Sequence, residues 1–452
     1  MRSFRLRYDR ASCRRMVRWA AGLAALTASM PVQAATIAVA PDGSRDYATI
    51  QAAVDAAVQG DIIELLNGTF HGPGNRDIDY LGKAITVRSR SGQASLCVID
   101  CGGQPMTPHR GFLFQAGEGA GSVLEDVRVE SALMWAEGGA VLCKAASPTL
   151  RRVEFADNQS SFGGALACID GANPQVLSCV FMGNLSDFGS AAACRGSSPQ
   201  FADCRFVDNL TAEVGGGLLC ERDSHPTVNR CTFENNRAEA GAGMACRDTS
   251  NPVVFQSRFL QNAAHEGGAV WCANSAPVFT ECVFGANTAS DRGGTLHCVF
   301  ASPRLVRCTL YGNAAPVGAG IFAWLDSSPA VEATIIAFSS QGEAIACTNG
   351  GTAALSCSNL YGNAGGDWTG SVAIQSTSSG NFTADPRFCE PAAGTLHLWG
   401  DSPCLPGNHP GGADCGVVGA FGLGCTAVRV ENMTWSGVKS MFRGGAGVPH
   451  AN

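Results

Sequence analysis

The chain has 452 residues, of which 56 are Gly and 21 Cys, with only 15% charged side chains and a formal charge of −7. At 45% hydrophobic it is too apolar for a disordered chain, and its acidic balance argues against nucleic acid as a partner. Beyond one short N-terminal stretch, no apolar run approaches the roughly 18 residues of a membrane-spanning helix, and so many cysteines are foreign to a reducing cytosol.

Seven arginines between Arg2 and Arg18 precede the short apolar run Ala20–Met30 and the small-residue site Val32-Gln33-Ala34. This is the pattern of a secretory signal peptide over residues 1–34, cleaved after about Ala34. The expected destination is therefore outside the cytoplasm: secreted, at the cell surface or in the periplasm of a bacterium. Cleavage leaves 24 basic against 37 acidic side chains, a formal charge of −13, and 20 cysteines.

From about residue 136 the chain repeats itself. Phe-x-x-Asn or Leu-Tyr-Gly-Asn ends at Asn158, Asn184, Asn209, Asn236, Asn262, Asn287, Asn313 and Asn363, in steps of 25 to 27 residues with one double step. Gly-Gly-Ala or a near copy recurs at 138–140, 163–165, 216–218, 267–269 and 293–295, and a proline column runs from Pro148 to Pro329. Two cysteine columns keep the same register. One is Cys143, Cys168, Cys194, Cys220, Cys246, Cys272 and Cys298, then Ala323 and Cys347. The other is Cys179, Cys204, Cys231, Ser257, Cys282, Cys308, Thr334 and Cys357. Short β-compatible runs are punctuated by Gly, Pro and Asn, without helical periodicity between them. A ~25-residue turn of short strands, repeated with every mark in register, is a coil of parallel strands.

In such a coil like residues stack on their copies ~4.8 Å apart. Gly and Asn stand where the chain needs φ > 0, while Val, Phe and Cys point into a narrow, dry interior. In-register neighbours aim their Cβ atoms alike, which opposes disulfides within a column, and one thiol per rung does not converge tetrahedrally on zinc. Reduced thiols along the coil and disulfides at its ends are expected.

The pairs Gly138-Gly139-Ala140-Val141 and Gly163-Gly164-Ala165-Leu166, with Phe155–Asn158, Phe206–Asn209 and Phe233–Asn236, resemble the repeats of chlamydial polymorphic membrane proteins. The segment Val39–Val54, followed by Gly60–Leu65 and Gly68-Thr69-Phe70, looks like the N-terminal entry of pectin-lyase-fold proteins. The resemblance implies an all-β, right-handed parallel β-helix solenoid over roughly residues 36–425, opened by a short amphipathic capping helix, and carries no catalytic motif. The 27 or so residues after Cys425 are too few for the closed barrel by which polymorphic membrane proteins are displayed, so that route is not expected.

Residues 364–380, rich in Gly, Ser and Thr, read as a loop leaving the coil. Asp385–Cys389 and Asp401–Cys404 resemble a C-terminal cap of bacterial secreted β-helix proteins. Among the three pairings four cysteines allow, Cys389–Cys404 and Cys415–Cys425 close the shortest loops and are preferred, with Cys97–Cys101 as a further candidate. The tail 426–452 places Trp435, Val438, Met441 and Phe442 on one helical face, which fits either a helix closing the C-terminal edge or a sorting tag.

Counting seven residues back from the first-column cysteines gives Asp187, Glu213, Glu239, His265 and Asp291 in consecutive turns. Stacked carboxylates repel, so the column is open to three readings. It is a solvated acidic face, a Ca²⁺ site formed by Asp187, Glu213, Glu239 and Asp291, or a pair of catalytic carboxylates at glycosidase-like separation with His265 beside them. Arg195, Glu221 and Arg247 follow the cysteines on adjacent rungs and read as a charge ladder of small structural value. No phosphate loop, nucleotide fingerprint or Ser/His/Asp arrangement is present in the sequence.

Two functions follow. The first is an exported, non-catalytic, adhesin-like β-helix rod, monomeric, whose long face binds a glycan or another cell-surface ligand. The alternative is a polysaccharide lyase or glycoside hydrolase acting on an acidic polysaccharide. Enzymes of this architecture interrupt their repeats with long loops, whereas turns here vary by one or two residues, which favours binding.

Overall fold

The computed structural model describes residues 34–425; the expected signal peptide, up to residue 33, and the expected tail 426–452 lie outside the described residues. A single turn explains the rest. The chain passes through Gln159–Phe162, Leu166–Ile169, Gln175–Leu177 and Val180–Met182, then begins again at Leu185–Phe188. Each strand pairs in parallel with its copy one turn later, so the four strands per turn generate four sheets of 7, 11, 13 and 12 strands. This is an all-β parallel β-helix. Its turns bury Phe and Asn as continuous ladders. Phe181, Phe206 and Phe233 stack face to face at centroid distances of 4.9 and 4.4 Å. Asn184 Nδ2 donates to Asn209 Oδ1 at 3.0 Å and to the Phe155 carbonyl at 3.1 Å, and its neighbours repeat the pattern. The Phe-x-x-Asn mark thus supplies apolar burial and satisfies the buried corner backbone in one device.

The Gly-Gly mark has a steric cause. Gly163 has φ +68°, and a Cβ there would lie 2.4 Å from the Leu166 carbonyl oxygen; at Gly164 it would lie 2.4 Å from the Ser190 carbonyl oxygen of the next turn. The first position of this corner is accordingly glycine in every turn from Gly138 to Gly318, with φ between +60° and +76°, whereas the second also admits Ser190, Ala242 and Ala319.

At the N-terminal end, the helix Ile50–Ala56 is capped by Thr49, whose hydroxyl accepts from Ala52 N, and it buries Ile50, Ala53 and Val54 against the first turn. At the other end, the short 3₁₀ helix Gly370–Gln375 buries Val372 in the core. The following segment then leaves the coil axis. Phe388, Leu398 and Val418 pack on Val283, Ile335 and Ala337, so this segment lies along the flank of the 12-stranded sheet.

The disulfides differ from expectation. Neither Cys389–Cys404 nor Cys415–Cys425 forms; the bonds are Cys357–Cys415 and Cys389–Cys425, closing loops of 58 and 36 residues. The reason is register. Glu332 pairs with Ser356, so Ser358, not Cys357, continues the column of Thr334. Ser358 accordingly accepts from Thr334 N at 3.3 Å. Cys357 instead takes the left-handed corner position (φ +49°) held one turn earlier by Ala333, which frees its thiol for Cys415. Cys404 is buried and unbridged, receiving a hydrogen bond from Asn359 Nδ2 at 3.3 Å. Cys97 and Cys101 are also free and buried, because Cys97–Asp100 is extended strand and separates their Cα atoms by ~13 Å, beyond disulfide reach. Peptide mapping of the oxidised protein under non-reducing conditions is expected to recover the 357–415 and 389–425 crosslinks. Recovery of 389–404 would refute this C-terminal arrangement.

Candidate functional site

The seven-stranded sheet carries the acid column on its solvent face. Strand geometry alternates sides, and the residue before the last of each strand points outward: Asp187, Glu213, Glu239 and His265 are exposed, and Asp291 half-buried. β-Bulges perturb the file. Ser186 pairs with Thr211 and Phe188 with Val214, so Asp187 faces both Ala212 and Glu213. Glu239 lies directly across from His265, because Ala238 pairs with Ala264 and Ala240 with Glu266. His265 Nδ1 lies 2.8 Å from Ser290 Oγ, and Asp291 turns aside to accept from Arg292 Nε at 2.7 Å. The expected Ca²⁺ ligands thus share one face, Asp187, Glu213 and Glu239 in successive turns and Asp291 two turns beyond Glu239. Among the described residues, no group of three or more His, Cys, Asp or Glu converges as a metal site.

Two open depressions lie on this same sheet. One, of about 260 Å³, is lined by Met134, Trp135, Gln159, Ser161, Leu185 and Asp187. Trp135 is 59% exposed, yet its indole is fixed by donation from Nε1 to the Pro105 carbonyl at 3.0 Å. The second, of about 460 Å³, is lined by Arg237, His265, Thr288 and Ser290 over a floor of Ala238, Ala264 and Ala289. Trp135 and Arg237 stand four rungs apart, about 19 Å along the sheet.

A second feature is absent from the sequence reading. The Gly-Gly corner folds the last residue of each seven-stranded-sheet strand onto the outer face of the 11-stranded sheet. Phe162, Phe188 and Val214 there meet Leu142, Ala167, Ala193 and Leu219 in an apolar notch. The Arg195–Glu221–Arg247 ladder closes that notch and is not a surface ladder of small value. The Glu221 side chain is 3% exposed and accepts from Arg195 Nε at 2.7 Å and from Arg247 Nε at 2.9 Å. The Arg195 guanidinium lies 3.9 Å from the Phe162 ring centroid. Burial pushes the Glu221 carboxyl up, but hydrogen bonds from Arg195 and Arg247 outweigh it and hold it below the usual glutamate range.

Further along the same corner the apolar pairs give way to Glu266, Arg292, Trp271 and the fully buried His297. His297 Nδ1 lies 3.2 Å from Glu266 Oε2, and this contact, followed by the charge of Arg292, holds Glu266 below its ordinary pKa. His297 also stacks at a tilt on Phe322, at 5.2 Å. The only sequence signal for this cluster is that polar and aromatic residues replace small apolar ones at matching repeat positions.

The class these observations define is a right-handed parallel β-helix. Residues 211–337 match the family model described as a right handed beta helix region. A search of curated proteins finds no significant match. Among solved structures, the chain is similar to pectate lyase Pel9A, with TM-score 0.44 and 14% identity over 86% of this chain and 96% of that one. It is also similar to the PL6 family alginate lyase AlyGC, with TM-score 0.46 and 13% identity over 78% of this chain and 54% of that one. A third is PfbA, a surface adhesin of Streptococcus pneumoniae, with TM-score 0.39 and 10% identity over 70% of this chain and 85% of that one.

Proposed function

We propose that the chain is an exported, non-catalytic β-helix rod that binds a glycan along its seven-stranded sheet. The observation that carries this reading is the pair of depressions on one face, with Trp135 and Asp187 at one and Arg237, His265 and Ser290 at the other. A fixed indole offers an apolar platform, and the surrounding hydroxyl, carboxylate, imidazole and guanidinium groups offer donors and acceptors to a polyhydroxylated chain. The signal-peptide pattern and the likeness of the repeats to those of polymorphic membrane proteins support export and a surface role.

The enzymatic alternative, a lyase or hydrolase on an acidic polysaccharide, draws on Glu239, His265 and Asp291 in successive turns near Arg237. Glycosidases, however, set two carboxyl groups on either side of the scissile bond, whereas these acids stand in file along one face. The test scores retention of the mature protein on immobilised neutral and uronic-acid glycans, with and without Ca²⁺, while following reducing ends and unsaturated products. Binding without cleavage is expected. Trp135→Ala is expected to weaken it about tenfold or more, since one aromatic contact is worth on the order of 1–3 kcal/mol. Cleavage lost in Glu239→Gln would replace the binding reading with the enzymatic one, and neither retention on nor cleavage of any glycan would overturn both.

A further inference from the structure

The first turn of the coil buries a carboxylate whose charge is not opposed by any side chain among the described residues. Asp61, just before the strand Ile62–Leu65, is 4% exposed. Its Oδ2 accepts from Val58 N at 2.9 Å and its Oδ1 from Ala35 N at 2.8 Å. These two backbone donors hold the carboxyl below the usual aspartate range, so it is ionised at neutral pH. Among the described residues it enters no ion pair with Lys, Arg or His. Amide hydrogen bonds solvate a buried carboxylate without neutralising it, and such a charge is costly until a cation meets it.

Ala35 is not an ordinary donor. It follows the expected cleavage after Ala34, and the compact coil begins at the same residue. Thr36 pairs with Ile62 in the first ladder, and Ile62 N donates to the Ala35 carbonyl at 2.8 Å. This register sets the Ala35 nitrogen beside Asp61. Hydrolysis of the Ala34–Ala35 bond adds the elements of water: Ala34 gains a carboxyl oxygen, and the Ala35 nitrogen becomes an amine that takes up a proton. One amide donor thus becomes an ammonium with three donors and a full positive charge, at a nitrogen already in contact with the carboxylate.

We propose that Asp61 is the binding site for the α-ammonium of Ala35, so that removal of the signal peptide completes the N-terminal cap. The ion pair anchors the edge strand Thr36–Val39, whose Val39 shares the core with Ile50 and Val54 of the capping helix. A cut one residue to either side would move the charge by about 3.3 Å, off the carboxylate, so the position of cleavage matters to the fold. The inference rests on reading residues 1–34 as a signal peptide and is independent of what the coil binds.

The first measurement is the N-terminal sequence of the full chain after export from a bacterial host, expected to start at Ala35. The mature chain is then released from a cleavable fusion in two forms, one starting at Ala35 and one with a single extra Gly before it. Competitive labelling with an amine-reactive ester compares each α-amine with the Lys144 side chain of the same molecule. A carboxylate in contact raises an amine's pKa by about one unit or more, so Ala35 is expected to react about tenfold more slowly near pH 7 than the added Gly. Hydrogen exchange at Thr36–Val39 and Ile62 is expected to be slower in the Ala35 form, with residues 150–350 unchanged. Both differences are expected to vanish in Asp61→Asn, which keeps an oxygen for Val58 N; the Gly form leaves Asp61 itself untouched. An N-terminus other than Ala35 would overturn the cleavage site and the inference with it. An Ala35 amine as reactive as that of the Gly form, or differences that persist in Asp61→Asn, would overturn the inference alone.

Discussion

Gly267→Val is expected to be among the most damaging single substitutions in the coil. Its φ is +61°, and a Cβ there would lie 2.4 Å from the Val270 carbonyl oxygen and 2.9 Å from the Val270 carbonyl carbon, both backbone atoms of the strand that follows the corner. Neither can retreat without parting the ladder. The expected loss exceeds about 4 kcal/mol, the range reserved for clashes a fold cannot absorb. A solenoid need not unfold as one unit, so the change is read locally. Hydrogen exchange across residues 263–299 should accelerate while residues 36–130 keep their protection. Gly171→Ala is the control for backbone strain alone: its φ is +81°, but nothing lies within 4 Å of the added carbon. It should cost only about 1–2 kcal/mol. Equal exchange in the two variants would show that the corner is not set by this backbone contact.

Glu221→Ala is expected to cost about 3 kcal/mol, at the lower end for breaking a buried ion pair because both guanidinium groups retain some water. Arg195 and Arg247 would be left facing each other across the apolar notch, with their carboxylate gone. The same residue fixes a pH dependence. Its carboxyl titrates lower in the folded protein than the roughly 4.3 of an unfolded glutamate, so its stabilisation is complete above about pH 5. It is then lost as the pH falls through the folded value. Denaturant melts of wild type and Glu221→Gln are expected to be separated by a constant margin above pH 5 and to converge in acid. A margin that stays constant down to pH 3 would exclude Glu221 as the titrating group.

Much of the coil was legible because a parallel β-helix has translational symmetry. The residue that fills a corner in one turn must fill it in the next, so Phe155–Asn158 and its copies mark both the aromatic stack and the asparagine ladder. The acid column was legible for the same reason, and the bulges at Asp187 and His265 shifted only its neighbours. The burial of Glu221 was not legible. A charged residue at the fourth position of a strand faces outward by alternation, and only the second sheet turning at Gly-Gly covers it. Nor does spacing separate Cys357 from the column it adjoins, because a turn two residues shorter moves it onto the corner.

The sequence by itself determined the class of fold, its turn length, the residues on its inner columns and the capping helix at its start, because each is written in local patterns repeated many times. The tertiary structure alone decided which thiols pair, where residues 382–425 lie, and which of two identical-looking cysteine columns is bonded to the backbone. These depend on contacts between segments far apart in the chain, each made once, and a contact made once leaves no period to read.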